Sequence, residues 1–327
     1  MAKKRISPFA PVRGCNPARP GAKIAMLLTA AVMSGAAVAG FGGVLFICAA
    51  AGILAYVMCT GTNIAALPLC GALSFGFAML IGVEWYIALI TLVYVPMATV
   101  IWLSAKNRQS LSQTVLYLTL LLILIGGATV GVLYLKDSSW TTELFGSLYN
   151  AYKEYVTVNL AAIAKGYPAN AIDSLVYTTI MMIPGSVTVL LMGFGYLSAK
   201  IFRLASIVHD SSAMFDFYRW PVTASLPLTL ICTVSTVMAV SVSDTAVNLL
   251  ATNLMILTMP ACFIYGLNLI FSRNSRFRQS RMGRISLVLL CFMAFYSAGA
   301  VLLFFAPLYA FYNNMRIFIF SKFKKKD

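Results

Sequence analysis

The feature that most constrains this chain is a succession of long apolar runs, separated by short gaps that hold most of the charged residues. A helix needs about 20 apolar residues to cross the hydrocarbon core of a bilayer. Of the 327 residues, 61% are hydrophobic and 10% are charged. Soluble domains hold roughly 45–50% apolar and about 25% charged residues. The sequence therefore predicts an all-α, multi-pass membrane protein.

The apolar runs predict about eight or nine transmembrane helices. The run at 22–60 is too long for one crossing and divides near the glycines at 40–43. The later runs predict helices at about 64–82, 84–104, 111–135, 171–202, 221–242, 245–271 and 285–307. The chain is thereby divided into a basic tail at 1–21, membrane halves at 22–135 and 171–320, an extracytoplasmic segment at 136–170 and a basic tail at 321–327.

Residues 136–170 differ from the runs on either side because their apolar side chains recur at helical spacing. The apolar series runs from Trp140 to Ile163, whereas Glu143 and Lys153 fall on other faces. A helix of this kind lies on a membrane rather than through it. The segment is predicted to be an amphipathic helix outside the cytoplasm.

The positions of the 24 basic residues orient the chain. They gather in the tails and the gaps, so the net charge of +15 indicates membrane orientation rather than nucleic-acid binding. The positive-inside rule predicts a cytoplasmic N-terminus and an extracytoplasmic 136–170. Nine crossings would leave the C-terminal lysines outside, against this rule. Either 22–60 holds one crossing and a re-entrant piece, or 308–321 folds back to the cytoplasmic face.

Sequence motifs for catalysis, cofactors and metals are missing. The chain has neither GxGxxG nor GxxxxGK[ST] nor HExxH, and its one histidine is His209. The seven cysteines form no CxxC pair, and all but Cys15 lie in apolar runs, where cysteine serves as a small hydrophobic residue. We therefore expect a protein that is not an enzyme and that has no cofactor, metal site or disulfide.

Polar side chains inside the eighth predicted span are the candidates for a ligand-binding site. Asn248, Thr252 and Asn253 lie in its outer half, and Asp244 lies at its mouth. Polar groups are costly in hydrocarbon unless they face a cavity or a partner. These residues therefore predict either a small outward-facing ligand pocket or hydrogen bonds between helices. Glu84 is either part of an outer-surface turn or a further ligand contact.

Prolines inside two predicted spans mark candidate helix breaks. Pro184 and Gly185 lie near the middle of 171–202, and Pro260 lies within 245–271. Proline lacks the N–H that an α-helix uses, and its ring clashes with the preceding turn. Such sites predict either simple kinks or the discontinuous helices that form midplane sites in transporters.

Two further segments face the cytoplasm in the predicted orientation. The first is an interfacial elbow, in which Asp216 and Arg219 can pair, Trp220 anchors at the headgroup level and Pro221 opens the next helix. The second is a basic loop that holds Arg273, Arg276, Arg278, Arg281 and Arg284. This loop predicts cytoplasmic orientation or contact with anionic lipid headgroups.

The C-terminal half carries a series of motifs in a set order: Pro184 in a long helix, the elbow at 215–221, Asn248 to Asn253, Tyr265-Gly266-Leu267, the basic loop and Phe311-Tyr312-Asn313-Asn314-Met315-Arg316. This order resembles that of the YybS-like family of bacterial membrane proteins. The family often has Gly-x-x-Asp before its final Asn-x-Arg, whereas Ala306 and Ala310 are found here. The layout of the N-terminal half is similar to that of the S components of energy-coupling-factor transporters, which implies capture of a small molecule from outside.

Two functions are therefore expected for a multi-pass protein of the bacterial cytoplasmic membrane. The first is a small-molecule binding or transport component, energised by a protein partner or an ion gradient because no ATPase motif is present. It predicts a cavity of about 300 Å³ or more around Asn253. The second is a non-transporting scaffold of the cell envelope whose basic loops and elbow dock a protein partner. The lipid bilayer is an expected partner in both cases, and nucleic acid is not.

Overall fold

The structure, a computed structural model, describes residues 11, 12, 15, 18–40, 43–136, 139–159, 169–208, 224–242, 244–272 and 305–319. Regular structure in these ranges is entirely helical. The predicted all-α fold is therefore confirmed for the part of the chain that is described.

The described residues form twelve α-helices and one short 3₁₀ helix. They are α1 (Pro20–Ala37), α2 (Gly43–Cys59), α3 (Ala66–Leu80), α4 (Trp85–Ala88), the 3₁₀ helix Leu89–Val93, α5 (Tyr94–Lys106), α6 (Leu111–Lys136), α7 (Ser139–Asn159), α8 (Ala169–Met181), α9 (Ile183–Val208), α10 (Leu226–Ser241), α11 (Thr245–Ser272) and α12 (305–319).

Five helical segments are long and apolar enough to cross a membrane: Pro20–Ala37, Trp85–Lys106, Leu111–Lys136, Ile172–Val208 and Thr245–Gly266. The helices α2, α3 and α10 are also apolar but shorter. Large apolar side chains are widely exposed, with Leu80 and Leu135 at 87% and 86%. Soluble monomers rarely expose large apolar patches, whereas a lipid-facing surface is apolar. These features indicate a membrane protein, and the number of crossings remains a prediction.

The chain divides into two compact units, of which the first comprises Met1–Ala128 and Leu190–Trp220. Its core is close-packed around small residues. A methyl group on Gly52 would come within 2.8 Å of the backbone nitrogen of Phe202 and the carbonyl oxygen of Ser198. Small residues let apolar helices approach closely, which gains dispersion contacts where lipid offers no hydrophobic driving force. This approach joins α2 to the later part of α9.

Buried hydroxyl groups in the first unit find partners on other helical segments. Ser34 donates to the carbonyl oxygen of Thr91 at 2.8 Å, and Ser74 hydrogen-bonds the hydroxyl of Tyr94 at 2.8 Å. At the end of α2, the carbonyl of Thr60 accepts a bond from the ammonium of Lys23 at 3.0 Å. A cation is favourable there because the last carbonyls of a helix are unpaired and carry partial negative charge.

The second unit comprises Thr129–Val189 and Pro221–Asp327. In it, α10 and α11 form an antiparallel hairpin, and α7 packs on α8 through an apolar cluster that includes Val156, Val176 and Ile180. The small residues Ala306 and Ala310 are the buried face of α12. A methyl group on Gly266 would overlap the carbonyl of Ala306, so only glycine permits this approach between α11 and α12.

The helix α11 runs without interruption through Pro260, so the discontinuous helix that was one of the two alternatives is not found there, and a simple kink stays a prediction. Proline removes one backbone hydrogen bond, but packing on a neighbouring helix can hold the remaining turns in line. Here Met259 and Cys262 on either side of the proline pack with Cys232 of α10 in one buried cluster. The hairpin contact therefore keeps α11 continuous.

Candidate functional site

The helical chain is interrupted immediately before Pro184 and Gly185. α8 ends at Met181, Met182 forms a turn, and α9 begins at Ile183. In an uninterrupted helix, the N–H of Gly185 would donate to the carbonyl four residues earlier, which is that of Met181. The break separates these two groups, and buried backbone groups need another partner.

The side-chain amide of Asn253 on α11 supplies that partner. Its Oδ1 accepts a bond from the N–H of Gly185 at 2.9 Å, and its Nδ2 donates to the carbonyl of Met181 at 3.0 Å. The same Nδ2 also donates to the carbonyl of Leu249 at 3.0 Å. One amide therefore stands in for the backbone bond that the break removes. The amide must turn its oxygen, not its nitrogen, towards Gly185, because a backbone N–H can only donate a hydrogen bond.

The absence of a side chain at Gly185 is required for this contact. Gly185 is buried, and a Cβ built on it would lie 2.8 Å from Oδ1 of Asn253. The sequence named Pro184, Gly185 and Asn253 as candidates, but for two different sites. The structure brings them together at one place, the Asn253 bridge, which we define as Met181, Pro184, Gly185 and Asn253.

Asn248, Thr252 and Asp244 serve the turn of the α10–α11 hairpin. The Nδ2 of Asn248 donates to the carbonyls of Ala239 and Val242 at 2.8 and 3.1 Å, which are among the open carbonyls at the end of α10. The hydroxyl of Thr252 donates to the carbonyl of Asn248 at 2.8 Å. These contacts direct Asn248 towards α10, whereas Asn253 is directed towards the break between α8 and α9.

Asp244 is the N-cap of α11. Its Oδ1 accepts a bond from the N–H of Val247 at 3.0 Å, the third residue of the helix. Glu84 belongs to the first unit, where it is exposed and immediately precedes α4. A role for Asp244 or Glu84 in ligand binding stays a prediction.

Three apolar cavities occur in the units. The first, about 540 Å³, lies in the first unit and is lined by residues of α3, the 3₁₀ helix and α5. The others, about 330 and 310 Å³, border the α10–α11 hairpin. None of the three is lined by Asn248, Thr252 or Asn253, so the cavity of about 300 Å³ expected around Asn253 is not among them. A ligand that bonds to the Asn253 bridge would therefore need the break to open.

A second asparagine, which the sequence did not single out as a site residue, ties α12 to the hairpin. The Oδ1 of Asn314 accepts a bond from the hydroxyl of Tyr265 at 3.1 Å. Its Nδ2 donates to the carbonyl of Ala224 at 2.9 Å and to the hydroxyl of Thr229 at 3.3 Å. Asn314 thus lies at the end of the hairpin where α10 begins. The sequence signal that could have identified Asn314 is its position in an apolar helix, where a polar amide is costly unless it has a partner.

The amphipathic segment at 136–170 is represented by α7, and a charged contact joins α7 to α8. Asp173 accepts bonds from the ammonium of Lys153 at 2.7 Å and from the hydroxyl of Tyr149 at 2.8 Å. The hydrogen bond to Asp173 and its negative charge raise the pKa of Lys153. Both charged side chains are 43% exposed, so this contact orients the two helices more than it stabilises them.

The remaining site predictions fall on other parts of the chain. The elbow residues Asp216, Arg219, Trp220 and Pro221, the basic loop Arg273, Arg276, Arg278, Arg281 and Arg284, and His209 all lie outside the described residues. Within the ranges that the structure describes, no three His, Cys, Asp or Glu side chains are grouped so that they could hold a metal ion.

No protein-family model, curated protein or solved structure matches this chain. The similarity to the YybS-like family stays a prediction.

Proposed function

We propose that this chain is a multi-pass protein of the bacterial cytoplasmic membrane that binds a small molecule as a component of a transport system. The observation that carries the proposal is the Asn253 bridge, in which a broken helix is held by one side-chain amide from another helix. Broken helices with open backbone groups are the usual substrate-binding elements of membrane transporters.

The membrane location is supported by the five long apolar segments and by the exposed apolar side chains of the helices. A cytoplasmic N-terminus is supported by the basic tail. The bond from Asn314 to Ala224 favours a C-terminus on the same side as the start of α10, which the positive-inside rule assigns to the cytoplasm. A chain with both ends on that side crosses an even number of times, so eight crossings fit better than nine.

The proposed mechanism follows from the cost of unpaired backbone groups in hydrocarbon. The break can rearrange only if Met181 and Gly185 keep hydrogen-bond partners, because each open group costs several kcal/mol there (about 2–7). Asn253 holds them in the described state. A bound ligand that offers equivalent groups lets the break open at little cost. The energy for transport comes from a membrane or cytoplasmic protein partner or from an ion gradient.

Comparison of co-purifying molecules tests this proposal. Wild type, Asn253→Leu and Thr252→Val are purified from bacterial membranes into nanodiscs, and their bound small molecules are extracted and identified by mass spectrometry. Thr252→Val is the matched control because Thr252 bonds only within its own helix. We expect a molecule on wild type and on Thr252→Val and more of the same molecule on Asn253→Leu, because leucine does not compete with the ligand for Met181 and Gly185. Identical extracts from all three folded proteins would refute the proposal.

One observation favours the scaffold as a second candidate function. The amides of Asn248, Asn253 and Asn314 all bond to backbone groups of neighbouring segments, as residues that fasten helices together do. A scaffold would dock its partner on the basic cytoplasmic loop. Substitution of Arg273, Arg276 and Arg278 together by glutamine should then abolish recovery of a cross-linked partner without altering orientation. Unchanged recovery would count against this function.

A further inference from the structure

From the geometry of the Asn253 bridge we infer the class of ligand: a neutral molecule that presents an amide-type edge, such as a carboxamide or a lactam. The inference rests on the proposed function, because it assumes that ligand binds at this break. Gly185 offers one N–H and Met181 offers one carbonyl, and both are bonded by a single planar amide. A ligand that replaces this amide must present the same acceptor to Gly185 and the same donor to Met181.

The pairing of hydrogen-bond donors and acceptors argues against a carboxylate and against an ammonium as the ligand group. A carboxylate accepts hydrogen bonds but does not donate them, so it would leave the carbonyl of Met181 without a donor. An ammonium donates but does not accept, so it would leave the N–H of Gly185 without an acceptor. An unpaired backbone group is costly in an apolar site. An amide edge, with an acceptor and a donor side by side, satisfies both, as the amide of Asn253 does.

The bonds of Asn253 make its replacement feasible. Its Nδ2 donates to the carbonyl of Leu249, one turn earlier on α11, as well as to Met181. When a ligand occupies the carbonyl of Met181 and the N–H of Gly185, the Nδ2 keeps its bond to Leu249. Displacement therefore leaves one of the two N–H donors of Asn253 bonded. Gly185 also lacks the Cβ that would block approach of an incoming carbonyl oxygen.

Chemical rescue tests the inference with the full-length protein in nanodiscs. Asn253→Ala replaces the carboxamide group by a hydrogen and keeps Cβ, and acetamide supplies the same amide with one additional methyl group. Thermal unfolding is measured with acetamide, with acetate and with neither. We expect acetamide to raise the midpoint of Asn253→Ala by several degrees and acetate to leave it unchanged. The matched control is Thr252→Ala, which opens space without exposing a donor–acceptor pair and should not respond.

Equal stabilisation of Asn253→Ala by acetamide and acetate, or by neither, would overturn the inference. If Asn253→Ala does not accumulate as folded protein, Asn253→Asp replaces it. A carboxyl group donates only while protonated, so this variant should be most stable at low pH and should lose stability as the carboxyl ionises. A stability that does not change with pH relative to wild type would also overturn the inference.

The outcome separates this inference from the proposed function. If acetamide rescues Asn253→Ala but no ligand is found on wild type, the inferred preference of the site for an amide stands and the proposed transport function is refuted. A co-purified ligand without an amide-type edge, together with no rescue, would retain transport and refute the inferred ligand class.

Discussion

The two units satisfy their buried polar groups in different ways. In the first unit, hydroxyl groups such as that of Ser34 bond within a core of closely packed small residues. In the second unit, Asn248, Asn253 and Asn314 bond to backbone groups at the ends and breaks of other segments. A close-packed core resists rearrangement, whereas one amide can be exchanged for another donor and acceptor. The comparison predicts that conformational change is larger in the second unit than in the first.

The largest effect is expected from a methyl group in the first unit. Gly52→Ala places a Cβ against backbone atoms of Phe202 and Ser198, which cannot move aside as a side chain does. Such overpacking costs about 3 kcal/mol. Thermal unfolding in nanodiscs measures the loss. The matched control is Gly76→Ala on α3, where the Cβ meets no atom within 4 Å, and it should be neutral or slightly stabilising because alanine favours a helix. Equal effects of the two would contradict a close-packed first unit.

The next largest effect is expected at Asn314. Asn314→Leu leaves the carbonyl of Ala224 and the hydroxyl of Tyr265 without this partner, which costs about 2 kcal/mol. Hydrogen exchange should rise in α12 and at the start of α10, and the unfolding midpoint should fall. Tyr312→Phe is the control because Tyr312 lies on the exposed face of α12. If hydrogen exchange rises equally in both variants, Asn314 does not hold α12 against the α10–α11 hairpin.

A smaller effect is expected at the break itself. Gly185→Ala brings a Cβ to 2.8 Å from Oδ1 of Asn253, so that side chain must move and the bridge weakens. The expected loss is about 1 kcal/mol because Asn253 keeps its bond to Leu249. The control is Gly193→Ala, farther along the same helix, with open space around its Cβ. Faster amide exchange in residues 181–186 of the Gly185 variant alone is the measurement. Equal exchange in both would mean that the bridge does not hold the break.

The smallest effect is expected at the exposed contact between α7 and α8. Asp173→Asn removes the charge partner of Lys153 and should lower the unfolding midpoint slightly at low ionic strength and not at all at high ionic strength. Because the pKa of Lys153 is raised, the wild-type contact persists at neutral pH, and on the alkaline side it is lost as the pH rises through that raised value. A salt-independent difference would show that the contact is not electrostatic.

Most helix positions follow from the sequence because apolar runs and basic gaps are local signals. The run predicted at 111–135 is the helix Leu111–Lys136, and the predicted break at Pro184 and Gly185 lies beside the turn at Met182. The same local signal at Pro260 gave no break, because packing between α10 and α11 decides the outcome. The residues around Pro260 do not reveal which helix will pack against them.

The composition of the candidate site could be predicted only in part. Asn253 and Gly185 were both recognised as unusual, but they lie 68 residues apart and nothing in their spacing links them. The hairpin role of Asn248 was anticipated as one of two alternatives, because an amide in hydrocarbon needs a partner. Which backbone group becomes that partner depends on the register of two helices, and register is a property of the folded chain.

The contacts at the end of α2 have a consequence for biosynthesis. The carbonyls of Cys59 and Thr60 accept bonds from the N–H of Val12 and the ammonium of Lys23. All four residues lie within the first 60 of the chain, and N-terminal segments fold first during synthesis. The α1–α2 pair can therefore complete its own end-capping as an early insertion unit, against which later helices assemble.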